Sequence, residues 1–195
     1  ILLAMGAGEP RGLNVMGAAF DNVHTAMDFL VQQNRLGAGD PPPVPSERIS
    51  AQDKCVVVIG GGDTGSDCVG TSLRLGAREV HQLEILPRPP EGHNPMTPWP
   101  LWPQILQTST SHEEGCQRRW GVLTKKLSGK SVRANELHGA EVEWTNGPKG
   151  WEMKEVPGTD FSFPVDLVLL AMGFVHVVLT GLIESVGWGL DLQGN

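Results

Sequence analysis

One short run of residues in this chain has the types and the spacing to hold a phosphate-bearing ligand. It consists of Gly60, Gly61, Gly62, Asp63, Thr64 and Gly65. In the pattern G-x-G-x-x-G, the first glycine permits a tight turn, the second lets the backbone approach a pyrophosphate, and the third lets a helix lie close to a strand. Unpaired N–H groups in the first turn of that helix, together with the helix dipole, attract the phosphates. The run therefore predicts a binding site for a dinucleotide.

The flanking residues predict the elements that must position this run. The β-branched residues 56–59 precede it as a strand, and residues 80–86 follow as a second strand. Gly76 is the expected end of the helix between them. This order of strand, turn, helix and strand is the context that the dinucleotide pattern requires. We therefore favour a dinucleotide-binding turn over a glycine-rich turn that binds nothing. Apolar residues of the helix recur at Cys68, Val69, Leu73 and Leu75.

Two residues near the end of the second strand bear on which dinucleotide binds. Glu84 lies about where an acidic residue meets the ribose 2′-OH of NAD. Arg88 lies just beyond it and could instead meet a 2′-phosphate. Strand alternation also allows Glu84 to be merely solvated. We expect NADH, and NADPH stays open.

The charge and the hydropathy of the chain exclude several classes of protein. The formal net charge is −7, so neither nucleic acid nor an anionic membrane would attract the chain electrostatically. The longest apolar run, residues 165–175, contains Asp166 and Gly173 and is too short to span a bilayer. The first residues carry no signal-peptide pattern. We therefore expect a cytoplasmic or organellar protein with no membrane or nucleic-acid partner.

The cysteines and histidines do not have the spacing of a metal site. Cys55, Cys68 and Cys116 form no C-x-x-C pair, so a zinc ribbon, an iron–sulfur loop or a dithiol centre lacks its ligands. The stretch His112-Glu113-Glu114 resembles half of a metalloprotease helix, but the second histidine is missing. We expect buried free thiols and no bound metal, and we assign no catalytic residue.

The first fifty residues predict a strand, a helix and a linker. Residues 1–4 are strand-like, and Asp21 is the expected N-cap of the helix. Consecutive prolines and free glycines in residues 37–45 exclude a helix or a central strand there. We place the domain boundary within residues 46–54. The apolar stripe expected to pack in the core consists of Val23, Ala26, Met27, Leu30 and Val31.

Beyond the second strand the chain changes character twice. Residues 87–103 are rich in proline and carry Trp99 and Trp102, which predicts an ordered surface loop with its indole rings packed on the domain. Short alternating runs within residues 121–144 predict an antiparallel excursion with one exposed face. Residues 165–171 return as a buried strand. The predicted fold class is α/β, a three-layer Rossmann-like domain with a parallel sheet and an antiparallel β excursion.

A series of ordered motifs resembles glutamate synthase, in its small (beta) subunit or C-terminal region. The motifs are GGGDTGSDC, LEILPRPP, PWPLWP, TSTSHEEG, VLTKKLSG, VEW and DLVLLAMGF. The earlier AMGAGEPR and VHTAMDFLVQQNR resemble the end of the first flavin-domain segment in that family. The resemblance covers nearly the whole chain. It implies a nicotinamide-nucleotide domain that is inserted in fragments of a flavin-binding domain.

The resemblance also implies a division of the chain. Residues 1–50 would hold the end of the first flavin-domain segment and a linker, residues 51–172 the NAD(P)-binding domain, and residues 173–195 the start of the returning flavin-domain segment. The glycine run would line the phosphates of the nicotinamide nucleotide. The strand ends Ala4-Met5-Gly6 and Ala171-Met172-Gly173 resemble the crossover between the two domains, near the cofactors.

The resemblance further implies cofactors, partners and a reaction. NAD(P)H would deliver a hydride to FAD in the full-length protein, and iron–sulfur clusters elsewhere in it would carry electrons to the large (alpha) subunit or region. That region would form glutamate from glutamine and 2-oxoglutarate. We expect this chain to be a piece of a longer polypeptide. By itself, the chain should hold no FAD and should be inactive. Two alternatives stay open, namely another FAD/NAD(P)H oxidoreductase with a different electron acceptor and a catalytically silent nucleotide-binding module.

Overall fold

The computed structural model of the chain describes residues 6–92, 94, 95, 97–100, 105–147, 150–187 and 189–191. The predicted strand at residues 1–4, the Ala4-Met5 part of the first Ala-Met-Gly strand end and Trp102 lie outside the described residues. In chain order the elements are β1 (Val23–Thr25), α1 (Ala26–Gly37), β2 (Cys55–Ile59), α2 (Gly62–Arg74), β3 (Glu79–Glu84), α3 (Thr110–Glu113), β4 (Gln117–Trp120), β5 (Val122–Lys130), β6 (Arg133–Gly147), β7 (Gly150–Glu155), β8 (Phe161–Pro164), β9 (Leu167–Leu170) and α4 (Leu182–Val186).

Five of the strands form one parallel sheet in the spatial order β1-β9-β2-β3-β4. The predicted unit of strand, glycine turn, helix and strand is present as β2, α2 and β3, and all five residues of β2 are buried. A strand buried on both faces reads as a continuous apolar run, which is why β2 is apolar throughout. The second strand ends at Glu84, two residues earlier than predicted, and Ile85 and Leu86 are exposed.

The helices α1 and α2 cover one face of this sheet. Their buried side chains share a core with β2 and β9. The helix α1 begins later than predicted, because Val23 lies in β1 and the Oγ1 of Thr25, not Asp21, accepts the capping hydrogen bond from the backbone N–H of Asp28 over 3.1 Å. The predicted stripe is also partly wrong, since Phe29, which is not part of it, is fully buried and two of its members are exposed. The exposed members are Met27 and Val31.

An antiparallel sheet covers the other face. The strands β5, β6 and β7 pair in that order, and β8 pairs with β6. Leu127 of β5 and Leu137 of β6 are buried against Val57, Ile59 and Val168 of the parallel sheet. Helices, parallel sheet and antiparallel sheet therefore form three layers, and the predicted fold class is confirmed.

The Pro/Trp segment is only partly as predicted. Trp99 is 93% exposed, so its indole ring does not pack on the domain as expected. The predicted linker, residues 37–45, contains neither helix nor strand beyond Gly37, the last residue of α1, and its role between two domains stays a prediction. The strand β1 and the helix α1 precede this linker, yet both pack with the parallel sheet. The division of the chain at residues 50 and 172 stays a prediction, with part of the first segment packed on the predicted nucleotide-binding domain.

A buried asparagine joins the two sheets. Asn22 is 1% exposed, and its side-chain amide makes paired 2.8 Å hydrogen bonds to the backbone N–H and carbonyl of Ala134 in β6. The same amide nitrogen donates to the carbonyl of Asp166, which precedes β9, over 3.0 Å.

We expect Asn22→Ala to lower the free energy of unfolding by about 2 kcal/mol, because it leaves buried backbone groups of Ala134 without partners. Urea denaturation measures the change. The exposed Asn146→Ala in β6 is the control and should change stability by less than about 0.5 kcal/mol. Equal stability of the two variants would contradict the structural role of Asn22.

Among the described residues, no helix is long and apolar enough to cross a membrane.

Candidate dinucleotide-binding site

A cavity lies at the carboxyl ends of three parallel strands, where ligands bind in open α/β sheets. It has a volume of about 500 Å³. Its lining brings together predicted site residues from the ends of these three strands. Gly60 and Gly61 follow β2, Glu84 is the last residue of β3, and Ala171, Met172 and Gly173 follow β9. The insertion of β9 between β1 and β2 causes this convergence. Gly62, Asp63, Thr64, Gly65 and Arg88 lie outside the lining.

The glycines of the turn differ in the space around them. Gly60 has a φ of +114°, and a Cβ there would lie 2.1 Å from the carbonyl oxygen of Ala171. A Cβ at Gly65 would lie 2.8 Å from the carbonyl oxygen of Gly60. Gly62 has a φ of +70° and faces open space, because a Cβ at this position would have no atom of the described residues within 4 Å. The turn is therefore closed by protein at Gly60 and Gly65 and open to a ligand at Gly62.

The helix α2 presents its N-terminus at this turn. It begins at Gly62, and no side chain caps it at Gly61. Within the described part of the chain, the backbone N–H groups of its first turn therefore have no capping side chain as acceptor, which is the arrangement that holds a phosphate. Asp63 is exposed in this first turn and Thr64 is half-buried. A Cβ at Gly61 would lie 2.3 Å from a carboxylate oxygen of Glu84, so this carboxylate stands against the turn.

Glu84 is not free in solvent. Its side chain is 19% exposed, and its carboxylate accepts a hydrogen bond from Nη2 of Arg118 in β4 over 3.3 Å. Arg118 also donates to the carbonyl of Gln107 over 3.0 Å, and its guanidinium lies 4.7 Å from the centre of the Trp120 ring. The interpretation of Glu84 as merely solvated is therefore wrong, because the ion pair holds it at the cavity.

Arg88 occupies a different position. Its guanidinium lies 5.5 Å from the centre of the same Trp120 ring and pairs with Glu91 over 2.7 Å. The ion pair is exposed on both sides. Glu84 therefore lines the cavity directly, whereas Arg88 lies on the surface beyond it.

The segment after β9 pairs with the N-terminal part of the chain. The backbone N–H of Arg11 donates to the carbonyl of Gly173 over 2.9 Å, and that of Val175 donates to Glu9 over 2.9 Å. Arg11 lines the cavity together with Met172. Residues 9–11, which follow the first predicted strand end, therefore lie beside residues 173–175, and the crossover role of Ala4-Met5-Gly6 and Ala171-Met172-Gly173 stays a prediction.

Three residues of the site were missed from the sequence. Gln82 of β3 is fully buried and donates from Nε2 to the carbonyl of Gly60 over 3.1 Å. Arg118 holds Glu84, and Arg11 contributes a cation to the lining. No local signal marks Gln82, because most residues of its strand, EVHQLE, are polar or charged. Arg118 and Arg11 reach the site only through tertiary contacts.

The cysteines are free thiols, as predicted, but Cys116 is only half-buried and not buried as expected. Cys55 and Cys68 are buried, and burial raises the pKa of Cys55 to about 11 and that of Cys68 to about 12. One ligand atom from each of Cys55, Glu79 and His81 lies within 4.8 Å of the other two. Each atom already has a partner, since Sγ of Cys55 donates to the carbonyl of Pro164, and Glu79 contacts His81 and Gln117.

We expect no metal at this cluster, because a protonated thiol with a filled hydrogen bond is a poor ligand. Elemental analysis of the untagged chain for zinc and iron tests this expectation. Stoichiometric metal that is lost in a Cys55→Ala variant would contradict it.

The motif resemblance is confirmed by similarity to curated proteins. The chain is 42% identical to the glutamate synthase (NADPH) small chain of Mycobacterium tuberculosis (strain ATCC 25618 / H37Rv), over 100% of this chain and 40% of that protein. It is 38% identical to glutamate synthase (NADH) of Schizosaccharomyces pombe (strain 972 / ATCC 24843), over 90% of this chain and 9% of that protein. The chain thus spans less than half the length of either relative.

Solved structures and a family match agree with the fold described above. Mycobacterium tuberculosis FprA in complex with NADPH superposes with a TM-score of 0.59 at 16% identity, over 92% of this chain and 51% of that chain. A thioredoxin reductase of T. acidophilum superposes with a TM-score of 0.57 at 14% identity, over 97% of this chain and 48% of that chain. Residues 1–191 match the pyridine nucleotide-disulphide oxidoreductases. This match covers nearly the whole chain, which therefore belongs to the pyridine nucleotide-disulphide oxidoreductase family.

Proposed function

We propose that this chain is the NAD(P)H-binding part of a glutamate synthase and presents the dinucleotide to FAD in the full-length protein. The observation that carries the proposal is the turn at Gly62, which is open to a ligand beside a cavity at the carboxyl ends of β2, β3 and β9. Similarity to glutamate synthase over the whole chain supports the choice of family member. The proposed enzyme class is an NAD(P)H-dependent oxidoreductase.

The residues of the site fit a dinucleotide. Gly62 leaves room for a pyrophosphate, and the uncapped N–H groups at the start of α2 would bind it. The carboxylate of Glu84 would accept hydrogen bonds from a ribose. Met172 and Gly173, after β9, would form the wall along which the nicotinamide lies.

Hydride transfer needs no acid or base from this chain. A bound reduced nicotinamide supplies a hydride, and a flavin accepts it. The contribution of the chain is to bind and orient the dinucleotide so that the reacting atoms come within about 3–3.5 Å. The Ala171-Met172-Gly173 segment would face the flavin, and no residue of the chain is assigned a proton-transfer role.

The remaining parts of the proposal concern the longer protein. FAD would bind to the rest of the flavin domain, and iron–sulfur clusters elsewhere would carry electrons to the large (alpha) subunit. We propose that this 195-residue chain alone retains no FAD and reduces no dye. The full-length protein should do both, and with the large subunit it should form glutamate from glutamine and 2-oxoglutarate.

Two measurements test the function. Calorimetry on the chain should give saturable binding of NADH, NADPH and ADP-ribose, and an absorbance scan of the full-length protein should give a flavin spectrum that NAD(P)H bleaches. Absence of dinucleotide binding would contradict the proposal. Flavin reduction without glutamate formation would identify an oxidoreductase with another acceptor, and dinucleotide binding without flavin would identify a silent binding module.

We expect the chain to prefer NADH over NADPH, because the carboxylate of Glu84 lines the cavity and would accept a hydrogen bond from the ribose 2′-OH, which a 2′-phosphate lacks, while Arg88 lies on the surface beyond the cavity. Calorimetry should give a dissociation constant for NADH about tenfold lower than for NADPH, a difference of about 1.4 kcal/mol. Glu84→Gln should reduce this preference, and Arg88→Ala should leave it unchanged. A preference for NADPH that is lost in Arg88→Ala would overturn the assignment.

A further inference from the structure

A continuous line of hydrogen bonds connects the two ends of the glycine run. It starts at Ser66, directly after the last glycine of the run, and ends at Gly60, the first glycine. Ser66 Oγ contacts Ser109 Oγ, and Ser109 Oγ lies 3.0 Å from Nδ1 of His112. On the other side of the imidazole ring, Nε2 of His112 lies 2.9 Å from Oε1 of Gln82. The amide nitrogen Nε2 of Gln82 then donates to the carbonyl of Gly60 over 3.1 Å. The segment around α3 therefore reaches the turn although it lies more than forty residues later in the chain.

One backbone group fixes the direction of these hydrogen bonds. The N–H of Ser109 donates to Nδ1 of His112 over 3.1 Å, and a backbone N–H can only donate. Nδ1 is therefore the acceptor, and the proton of the neutral ring is on Nε2. Nε2 then donates to Oε1 of Gln82, which leaves the amide nitrogen of Gln82 to donate to Gly60. Burial, and after it the charge of Arg118, lowers the pKa of His112 below its ordinary 6.5, which keeps the ring neutral.

Two glycines of α2 make room for this line. A Cβ at Gly65 would lie 2.8 Å from Nε2 of Gln82, where it would displace the amide from the Gly60 carbonyl. A Cβ at Gly70 would lie 2.5 Å from Oγ of Ser111 in α3. The close approach of α2 to β3 and to α3 is therefore what brings Gln82 and His112 to the turn.

Stability alone does not account for the line. Gln82 is 0% exposed, and replacing a buried hydrogen-bonded pair by apolar groups of the same shape is nearly neutral for folding. A satisfied polar network instead selects one geometry of the groups that it joins. The group joined here is the carbonyl of Gly60, whose peptide sets the direction of the N–H groups that follow it in the turn.

We propose that Gln82 and His112 are positioning residues that hold the glycine turn in the shape that receives the pyrophosphate of a dinucleotide, an inference that rests on the function proposed above. His112 acts through Gln82, and Gln82 acts through the carbonyl of Gly60. Neither side chain contacts the ligand. The ligand group that depends on them is the pyrophosphate, and the adenosine is not affected.

The matched variants His112→Asn and His112→Gln separate positioning from helix capping. Asparagine can still accept from the N–H of Ser109 but is too short to reach Gln82, whereas glutamine can reach Gln82 but loses the Nδ1 acceptor. We expect His112→Asn and Gln82→Met to weaken ADP-ribose binding to the full chain about tenfold, as measured by calorimetry, while binding of adenosine, which lacks the phosphates, changes less than about twofold. His112→Gln should restore ADP-ribose affinity to within about threefold of the parent.

His138→Asn is the control, because His138 is also half-buried and contacts a serine, Oγ of Ser128, over 2.7 Å, but lies in the antiparallel sheet. It should leave both affinities unchanged. If His112→Asn and Gln82→Met bind ADP-ribose as tightly as the parent, the inference is overturned. It is also overturned if His112→Gln loses ADP-ribose affinity while His112→Asn retains it. If the parent chain binds neither ADP-ribose nor a dinucleotide, the proposed function fails and the inference fails with it.

Discussion

Gly60→Ala should lower the free energy of unfolding of this chain by at least about 3 kcal/mol. Two effects combine at this position. The φ of +114° is strained for any residue with a Cβ, and the added carbon would lie 2.1 Å from the carbonyl oxygen of Ala171. Neither backbone can retreat easily, because the N–H of Ala171 donates to Ile59 over 2.8 Å and the N–H of Gly60 donates to Leu83 over 2.8 Å. The substitution therefore forces apart β2 and β9 at the centre of the parallel sheet.

Urea denaturation of Gly60→Ala and Gly76→Ala separates the two effects. Gly76, after α2, has a φ of +81°, and no atom of the residues that the structure describes lies within 4 Å of its would-be Cβ. Alanine at Gly76 should cost about 1–2 kcal/mol from backbone strain alone. The excess cost at Gly60 measures the contact with Ala171. Equal costs at both positions would mean that the strands are not in contact at this point.

Gly62→Val should weaken dinucleotide binding at least about a hundredfold, or about 2.7 kcal/mol. The position has open space around it, so a side chain there meets the ligand and not the protein. An isopropyl group at the first residue of α2 fills the volume in front of the helix N-terminus, where a pyrophosphate would lie. Calorimetry with ADP-ribose measures the loss.

The strain of valine at a positive φ needs its own control. Gly158 lies in the turn after β7 and has a φ of +77°. No atom in the described part of the chain lies within 4 Å of its would-be Cβ. Gly158→Val should reduce stability to a similar degree as Gly62→Val and leave ADP-ribose affinity unchanged. If Gly62→Val binds as tightly as the parent, the glycine run is not the phosphate site.

The elements with local signals were predictable from the sequence. The strand β2, the turn and the helix α2 follow from an apolar run, a glycine pattern and helical spacing that lie next to one another in the chain. The predicted start of α1 is wrong because Thr25 and Asp21 are both good N-cap residues, and residues 23–25 form the strand β1. Pairing with β9 stabilises residues 23–25 as a strand. The two strands are far apart in the sequence, so no local pattern indicates that they pair.

The candidate site was predictable to a similar extent. The glycine run and Glu84 follow from a local pattern, and Ala171-Met172-Gly173 followed from a family resemblance. The contacts of Arg118 with Glu84 and of His112 with Gln82 join separate elements. The local pattern at His112 indicates half of a metal-binding motif or the start of a surface helix, because its neighbours in sequence are glutamates, whereas its partners in space are serine and glutamine.

The position of β9 between β1 and β2 has a consequence for the order in which the chain can fold. The strands β1 and β2 are complete by residue 59, yet their shared partner begins only at Leu167. Contacts of such long sequence separation slow folding, because the entropy of closing the loop is lost before the strands pair. During synthesis, both strands have an edge of unpaired backbone N–H and carbonyl groups until β9 is made. A chain with such unpaired strand edges is prone to aggregate. Emergence of β9 from the ribosome is therefore the event that closes the sheet, and a chaperone that shields these edges until then should raise the yield of folded protein.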